Sequence, residues 1–234
     1  MKETRLNKFL SESGVCSRRE ADILIAQGKI LVDGKVATMG QKITEAQEVR
    51  YGNKVVQNKE PEVLLALYKP RGLVCTTAQR DRNNIVRYMN YPVRIYPIGR
   101  LDKDSEGLIL LTNQGDLGNE IMRARNMHEK EYIVKVNKPI TEEFIEKMSS
   151  GIPILDTVTR PCIVRQIDTT VFSIILTQGL NRQIRRMCQY LDYEVKRLKR
   201  VRIMNITLDK LKYGEYREVS RKELEELKRQ LWTE

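Results

Sequence analysis

Apolar residues at the start of the chain recur at helical spacing. Leu6 and Leu10 lie on one stripe of a short predicted helix. Ser17 and Glu20 have the residue types and spacing of a capping box, in which each side chain accepts a hydrogen bond from the other's backbone N–H. The pattern predicts two helices, the second ending near Gly28.

Strand-like patterns follow these helices. The pair Asp33-Gly34 divides two β-prone segments and predicts a hairpin over residues 30–36. A further short strand is expected near residues 49–56. The next residues are polar and contain Pro61, which favours a break between folded units.

We therefore divide the chain into a small domain at residues 1–58, a linker at 59–63 and a larger domain at 64–234. The larger domain mixes strands and helices without a regular βαβ rhythm, which favours an α+β fold with a mixed, mostly antiparallel sheet flanked by helices. Its predicted strands include residues 63–68, 108–111, 132–136 and 171–176, and its predicted helices residues 141–149, 182–191 and a C-terminal helix capped by Ser220 and Glu223.

Composition narrows the class of protein. The 234 residues are 41% hydrophobic and 31% charged, which is ordinary for a globular protein, and no apolar run is long enough for a membrane helix. The cysteines form no C-x-x-C pair, so disulfides and zinc sites are not expected and a cytoplasmic location fits. The single histidine, His128, is given no catalytic role. A single histidine excludes most His-built metal sites, so no metal is expected. No phosphate-loop or dinucleotide motif is present, so no cofactor is expected.

The formal net charge of +11 suggests a polyanionic partner. Residues 1–58 hold ten Lys and Arg against seven Asp and Glu, a charge of +3, and the remaining chain carries +8. Arg18 and Arg19 lie in the first turn of a predicted helix, where a cation opposes the helix dipole at a cost of about 0.3–1 kcal/mol. They are either solvated or directed at phosphate.

Two further basic segments belong to the larger domain. Five of the seven residues 196–202 are cationic, which suits either a solvated edge strand or a strand with one packed side and one side facing phosphate. In the predicted helix after Gly179, Ile184, Met187 and Cys188 define the buried face. The three arginines that lie off this face are Arg182, Arg185 and Arg186.

An acid-rich loop precedes the apolar strand at 108–111. It contains Asp102, Asp104 and Glu106 between two glycines, and loops on a rigid strand often carry functional groups. Residue type alone does not choose among the three acids, and a purely structural Asp turn is the alternative.

The N-terminal motifs resemble the RNA-binding domain of ribosomal protein S-four type. The matching segments are Arg5-Leu6-Asn7-Lys8-Phe9-Leu10, Ser17-Arg18-Arg19-Glu20-Ala21, Gly28-Lys29-Ile30 and Val32-Asp33-Gly34. The resemblance implies binding of structured RNA. The residues assigned to this role are Arg5, Lys8, Arg18, Arg19, Lys29 and Lys35.

The larger domain resembles the RsuA-type pseudouridine synthases, and within them the large-subunit rRNA synthase F branch. The segments that carry the resemblance are Lys69-Pro70-Arg71-Gly72, Gly99-Arg100-Leu101-Asp102, Lys130-Glu131-Tyr132, the run from Gly179 to Met187, Leu198-Lys199-Arg200 and Arg202-Ile203-Met204-Asn205. The implied reaction is the isomerisation of uridine to pseudouridine in RNA, without a cofactor, on a base flipped out of its stack.

The resemblance also implies residue roles. Asp102 is the catalytic carboxylate, Arg185 its cationic partner, and Tyr132 the residue that stacks on uracil. Residues implied to bind substrate are Arg100, Asn181, Arg182, Leu198 and Arg200. Asp102 acts either as a nucleophile at C1′ or as a base on the 2′ hydrogen.

The expected partner is an rRNA stem-loop, which the protein also binds within pre-ribosomal particles. The protein is expected to be a monomer. Two alternatives remain open at this point. One is the same chemistry on small-subunit rRNA or tRNA, and the other is a non-catalytic RNA-binding or ribosome-assembly factor.

Overall fold

The computed structural model describes residues 3–56, 61–78, 80–123 and 127–232. The chain divides into two compact units, one of residues 1–62 with 92–94 and 113–115, and one of the remaining residues. Of the predicted linker at 59–63, residues 59 and 60 lie outside the described residues. No helix in the described ranges has the length and apolarity needed to cross a membrane.

The smaller unit confirms the predicted pair of helices and the hairpin. Its elements are β1 (Thr4–Arg5), α1 (Leu6–Glu12), α2 (Arg18–Ala26), β2 (Ile30–Val32), β3 (Lys35–Val36), β4 (Lys42–Ile43), β5 (Val49–Tyr51) and β6 (Lys54–Val55). Both hydrogen bonds of the capping box at Ser17 and Glu20 are present. Asp33 and Gly34 have φ of 50° and 75°, the positive angles that a tight hairpin turn requires.

The larger unit is built around a nine-stranded sheet. Its elements are β7 (Leu64–Lys69), α3 (Ile85–Met89), β8 (Tyr96–Ile98), β9 (Glu106–Thr112), α4 (Gly115–Met122), β10 (Lys130–Val136), α5 (Glu142–Ser150), β11 (Pro153–Ile154), β12 (Thr157–Val158), β13 (Ile163–Asp168), β14 (Val171–Leu176), α6 (Gln183–Tyr190), β15 (Val195–Ile203), β16 (Ile206–Thr207), β17 (Tyr216–Glu218) and α7 (Arg221–Trp232).

The order of the main strands is β13-β14-β10-β15-β9-β7-β17, with β8 also paired to β9 and β16 to β15. Within the described strands, β9 and β15 form the one parallel pair and all other pairs are antiparallel. The predicted α+β class with a mostly antiparallel sheet is confirmed. β15 lies inside the sheet between β10 and β9, so the interpretation of residues 196–202 as an edge strand is wrong.

Two hydrophobic clusters hold helices against this sheet. One joins β10, β14, α5 and α6 around Phe172 and Met187, and the other joins β7, β9, α4 and α7 around Leu110 and Leu227. The pattern along the sequence does not predict α4, because Gly115 and its other glycine have low helix propensity. Packing of its buried face into the second cluster stabilises this helix instead.

Candidate active site

The loop that carries Asp102 lies between β8 and β9 and is fixed by the segment that follows β7. The buried amine of Lys69 donates hydrogen bonds of 2.9 Å to the carbonyl oxygens of Pro70 and Ser105. The N–H of Gly72 donates to the carbonyl of Lys103 at 2.7 Å. The catalytic candidate is therefore held by contacts to a rigid strand end, as a preorganised site requires.

Burial lowers the pKa of Lys69, and this shift is partly offset by Cys75 and by the carboxylates of Asp104 and Asp102. The sequence motif alone assigns Lys69 no separate role. The sequence signal for this role is a lysine at the end of an otherwise apolar strand, because a cation that is buried there needs specific hydrogen-bond partners.

Two arginines from the start of α6 face the acidic loop. Arg182 approaches Asp102 Oδ2 with Nη1 at 3.5 Å, and Arg185 approaches the same oxygen with Nε at 4.0 Å. Arg185 is the partner of Asp102 expected from the sequence, and Arg182 lies closer. Both arginines also contact Asp104, at 3.4 and 3.2 Å.

Arg185 is oriented by several groups at once. It donates to Ser105 Oγ at 3.2 Å and to the carbonyl of Val195 at 3.3 Å. Its buried Nε, the atom nearest Asp102, has no hydrogen-bond partner within the described chain. Arg185 therefore has one buried donor near Asp102 that is not hydrogen-bonded to it.

The structure separates the three acids that the sequence left open. Glu106 is 3% exposed and accepts hydrogen bonds from Arg197 at 2.9 and 2.6 Å and from the hydroxyl of Tyr68 at 3.2 Å, so it serves a structural ion pair. Asp104 is occupied by both arginines of α6. Asp102 alone of the three lines the two cavities of this region.

The smaller cavity has a volume of about 100 Å³ and carries an aromatic wall. Tyr132 and Leu198 line it, together with Asp102 and Arg185. Tyr132 is half-buried and packs against the first hydrophobic cluster, so it serves the core and the cavity together. The arrangement places an aromatic and an aliphatic side chain beside one carboxylate.

The larger cavity, of about 330 Å³, shares Asp102 with the smaller one. The cations along its wall are Arg100, Lys130, Arg182 and Arg200, and Asn181 also lines it. Burial and the nearby charge of Arg200 lower the pKa of Lys130 to about 8. Lys130 belongs to the segment Lys130-Glu131-Tyr132, in which the resemblance assigns a role only to Tyr132.

The basic segment 196–202 is more neutralised than its sequence indicates. Carboxylates pair with Lys196, Arg197 and Arg202, the last of which contacts two glutamates at 2.9 Å. Arg200 is 3% exposed and donates from Nε to the carbonyl of Leu108 at 2.7 Å. Three of the five cations in this segment are therefore paired with carboxylates.

In the smaller unit, the residues expected to bind RNA differ in their exposure. Those that are exposed are Arg5, Arg18, Arg19, Lys29 and Lys35. Lys8 is half-buried and lies 3.6 Å from Glu12, one helical turn away. Exposed cations beside a capped helix start are suited to bind phosphate.

The site has two aspartates that face two arginines, and Asp102 is the one of these aspartates that lines the cavities. The family model described as RNA pseudouridylate synthase matches residues 63–190, and the model described as S4 domain matches residues 4–49. The chain belongs to the RNA pseudouridine synthase family, and both resemblances stated from its motifs are confirmed.

Curated relatives support the same assignment. The dual-specificity RNA pseudouridine synthase RluF of Escherichia coli (strain K12) is 55% identical over 225 residues, covering 95% of this chain and 78% of the relative. The ribosomal large subunit pseudouridine synthase B of Bacillus subtilis (strain 168) is 37% identical, covering 96% and 95%. A crystal structure described as a pseudouridylate synthase has a TM-score of 0.70 at 28% identity, covering 95% of this chain and 99% of that chain.

Proposed function

We propose that this enzyme isomerises a specific uridine in ribosomal RNA of the large subunit, with Asp102 as its catalytic carboxylate. The observation that carries the assignment of Asp102 is its position on the wall of both cavities, opposite Arg182 and Arg185. Similarity to the RluF enzyme and to the large-subunit synthase B supports the choice of RNA.

The reaction rearranges one nucleotide without gain or loss of atoms. The bond from uracil N1 to ribose C1′ breaks, the base turns, and a bond from C5 to C1′ forms. A proton leaves C5 and a proton is taken up at N1, so the balance needs no oxidant, reductant or cofactor. Asp102 acts at the sugar, as a nucleophile at C1′ or as a base on the 2′ hydrogen.

The other residues hold the flipped nucleotide. Tyr132 stacks on the uracil and Leu198 packs beneath it in the smaller cavity, which offsets part of the few kcal/mol that unstacking costs. Arg185 orients Asp102. The substrate contacts proposed on the other side of Asp102 come from Arg100, Asn181, Arg182 and Arg200.

We further propose that residues 1–58 dock a folded rRNA stem-loop, that 59–63 connect the domains and that 64–234 perform the chemistry. The enzyme acts as a monomer in the cytoplasm, on free rRNA and on pre-ribosomal particles. The exposed cations of the smaller unit and its match to the S4 domain support the docking role.

Mapping pseudouridines in total RNA tests the proposal. A strain that lacks the gene should lose pseudouridine at a site in 23S rRNA, and a plasmid copy of the wild-type gene should restore it. Transfer RNA belongs in the same experiment, because the Escherichia coli relative is named a dual-specificity enzyme. Loss confined to small-subunit rRNA or tRNA would replace the proposed substrate, and no loss at all would favour a non-catalytic factor.

Replacement of Arg18 and Arg19 by Ala should weaken RNA binding and make it less sensitive to salt. Each phosphate contact releases counterions, so the slope of log K against log salt concentration should fall by about 2. The measurement is RNA affinity at several salt concentrations. The matched control is the double replacement of Lys42 and Lys54 by Ala, which removes the same charge from the same unit. An equal effect in the control would assign the loss to net charge alone.

A further inference from the structure

The buried side chain of Arg200 has one N–H donor without a hydrogen-bond partner among the described residues. The side chain is 3% exposed, and Nε donates to the carbonyl of Leu108. Its Nη2 atom is buried and has no hydrogen-bond partner within the described chain. A buried donor left without a partner costs about 1–3 kcal/mol, and more when it carries charge. Such an atom on a cavity wall points to a ligand that accepts hydrogen bonds.

Lys130 is the second cation without a carboxylate partner in this cavity. Its amine donates to the carbonyl of His128 at 3.2 Å, and no acid of the described residues lies within ion-pair distance of Lys130 or Arg200. Lys130 is half-buried, and its burial together with the nearby charge of Arg200 lowers its pKa. The larger cavity thus has a buried cation, Arg200, and a half-buried cation, Lys130, on its wall without a carboxylate partner among the described residues.

The remaining charges on this wall do not neutralise the pair. Arg100 and Arg182 add two further cations, and Asp102 is the one acid among the lining residues. Asp102 is already shared with Arg182 and Arg185. The excess of positive charge selects an anion rather than a neutral carbonyl group as the occupant, since charge-assisted hydrogen bonds are the stronger ones.

The order of the two cavities matches the order of groups in a nucleotide. The smaller cavity, with Tyr132 and Leu198 on its wall, fits the base, and Asp102 lines both this cavity and the larger one. Ribose joins base to phosphate in every nucleotide. A nucleotide with its sugar at Asp102 and its base at Tyr132 would direct a phosphate towards Lys130 and Arg200.

We propose that Lys130 and Arg200 form a subsite for a phosphodiester that flanks the target uridine, an inference that rests on the proposed function for the identity of that nucleotide. Occupation of this subsite satisfies Nη2 of Arg200 and neutralises Lys130. It also fixes the distance between the ribose and Asp102. Lys130 is thus a specificity-determining and positioning residue for a step that Asp102 performs.

Titration of Lys130 by nuclear magnetic resonance of labelled lysine side chains tests the proposal on the wild-type chain. The probes are uridine, uridine 5′-monophosphate, uridine 3′-monophosphate and inorganic phosphate. Both nucleotide probes carry the phosphate, and the one with the larger effect identifies the 5′ or 3′ side. We expect phosphate-bearing probes to raise the pKa of Lys130 above its value of about 8, and uridine to leave it unchanged.

Lys130→Met assigns the signal and provides a second readout. The affinity of this variant for the uridine monophosphate that has the larger effect on the wild type should fall about tenfold, the effect of losing one charge-assisted hydrogen bond. Its affinity for uridine should not change. Lys135→Met is the matched control, because Lys135 is an exposed lysine on the same strand that lines neither cavity. Arg200→Met should lower the affinity for the uridine monophosphate as Lys130→Met does. The titration of the wild-type chain tests the proposal even if loss of Arg200 impairs folding.

Two outcomes would overturn the subsite. One is an equal rise of the Lys130 pKa with uridine and with its monophosphates, and the other is no change with any phosphate probe up to its solubility limit. These readouts need no turnover. A failure to form pseudouridine would therefore contradict the proposed function while leaving the phosphate subsite to its own test.

Discussion

Asp102→Asn should reduce pseudouridine formation by about 10⁴-fold or more, the scale seen when an enzyme loses its central catalytic group. Asparagine keeps the shape of the side chain but supplies neither a nucleophilic nor a basic oxygen. RNA affinity should remain close to that of the wild type, because loss of a negative charge beside Arg182 and Arg185 does not repel phosphate. Single-turnover assays and RNA binding on the same preparation measure both quantities.

Asp104→Asn is the matched control for this prediction. Asp104 belongs to the same loop and contacts the same two arginines, but it lines neither cavity. Its replacement should cost activity only through the looser orientation of Arg185, within about tenfold on the scale of one charge-assisted hydrogen bond. Full activity of Asp102→Asn, or equal losses in the two variants, would contradict the assignment of the catalytic acid.

Gly107→Ala should lower the free energy of unfolding of the larger unit by about 3 kcal/mol, through overpacking and an unfavourable backbone angle. Gly107 has φ of +112°, and a Cβ atom there would lie 2.2 Å from the carbonyl oxygen of Arg200 and 2.5 Å from its nitrogen. These are backbone atoms of the paired strand, so they cannot turn away as a side chain would. The parallel contact of β9 with β15 must open to admit the methyl group.

Urea unfolding followed by tryptophan fluorescence measures this effect in the full chain. Trp232 is the one tryptophan of the sequence and lies in α7, which packs on the larger unit, so its signal reports on that unit. Gly179→Ala is the control, because no atom lies within 4 Å of a Cβ built at Gly179. We expect that variant to stay within about 0.5 kcal/mol of the wild type. A Gly107→Ala variant as stable as its control would refute the packing argument.

Local features of this protein follow from short stretches of sequence. The capping boxes at Ser17 and Ser220 and the turn at Asp33-Gly34 form as predicted, because each depends on groups only a few residues apart. The ends of β14 coincide with the predicted segment 171–176, since its alternation of half-buried and buried residues is regular. Helix α4 was missed for the converse reason, because its stability comes from packing and not from propensity.

The number of unpaired cations is what the sequence overestimates. The composition of residues 196–202 is strongly basic, but Arg197 is paired with Glu106, 91 residues away along the chain. Arg202 is paired with Glu131 and Glu129 across the neighbouring strand. A count of cations along the chain does not contain this information, because pairing depends on which strands become neighbours.

The sequence by itself determined the class of enzyme, the order of its motifs and a set of three acids that contained the catalytic candidate. The tertiary structure supports the proposal of Asp102 among those acids, since Glu106 pairs with Arg197 while Asp102 lines both cavities. It also placed half-buried Lys130 and buried Arg200 on one cavity wall, without a carboxylate partner among the described residues. The physical reason is that desolvation and ion pairing act through space, and only the packed sheet brings these distant strands within reach of one another.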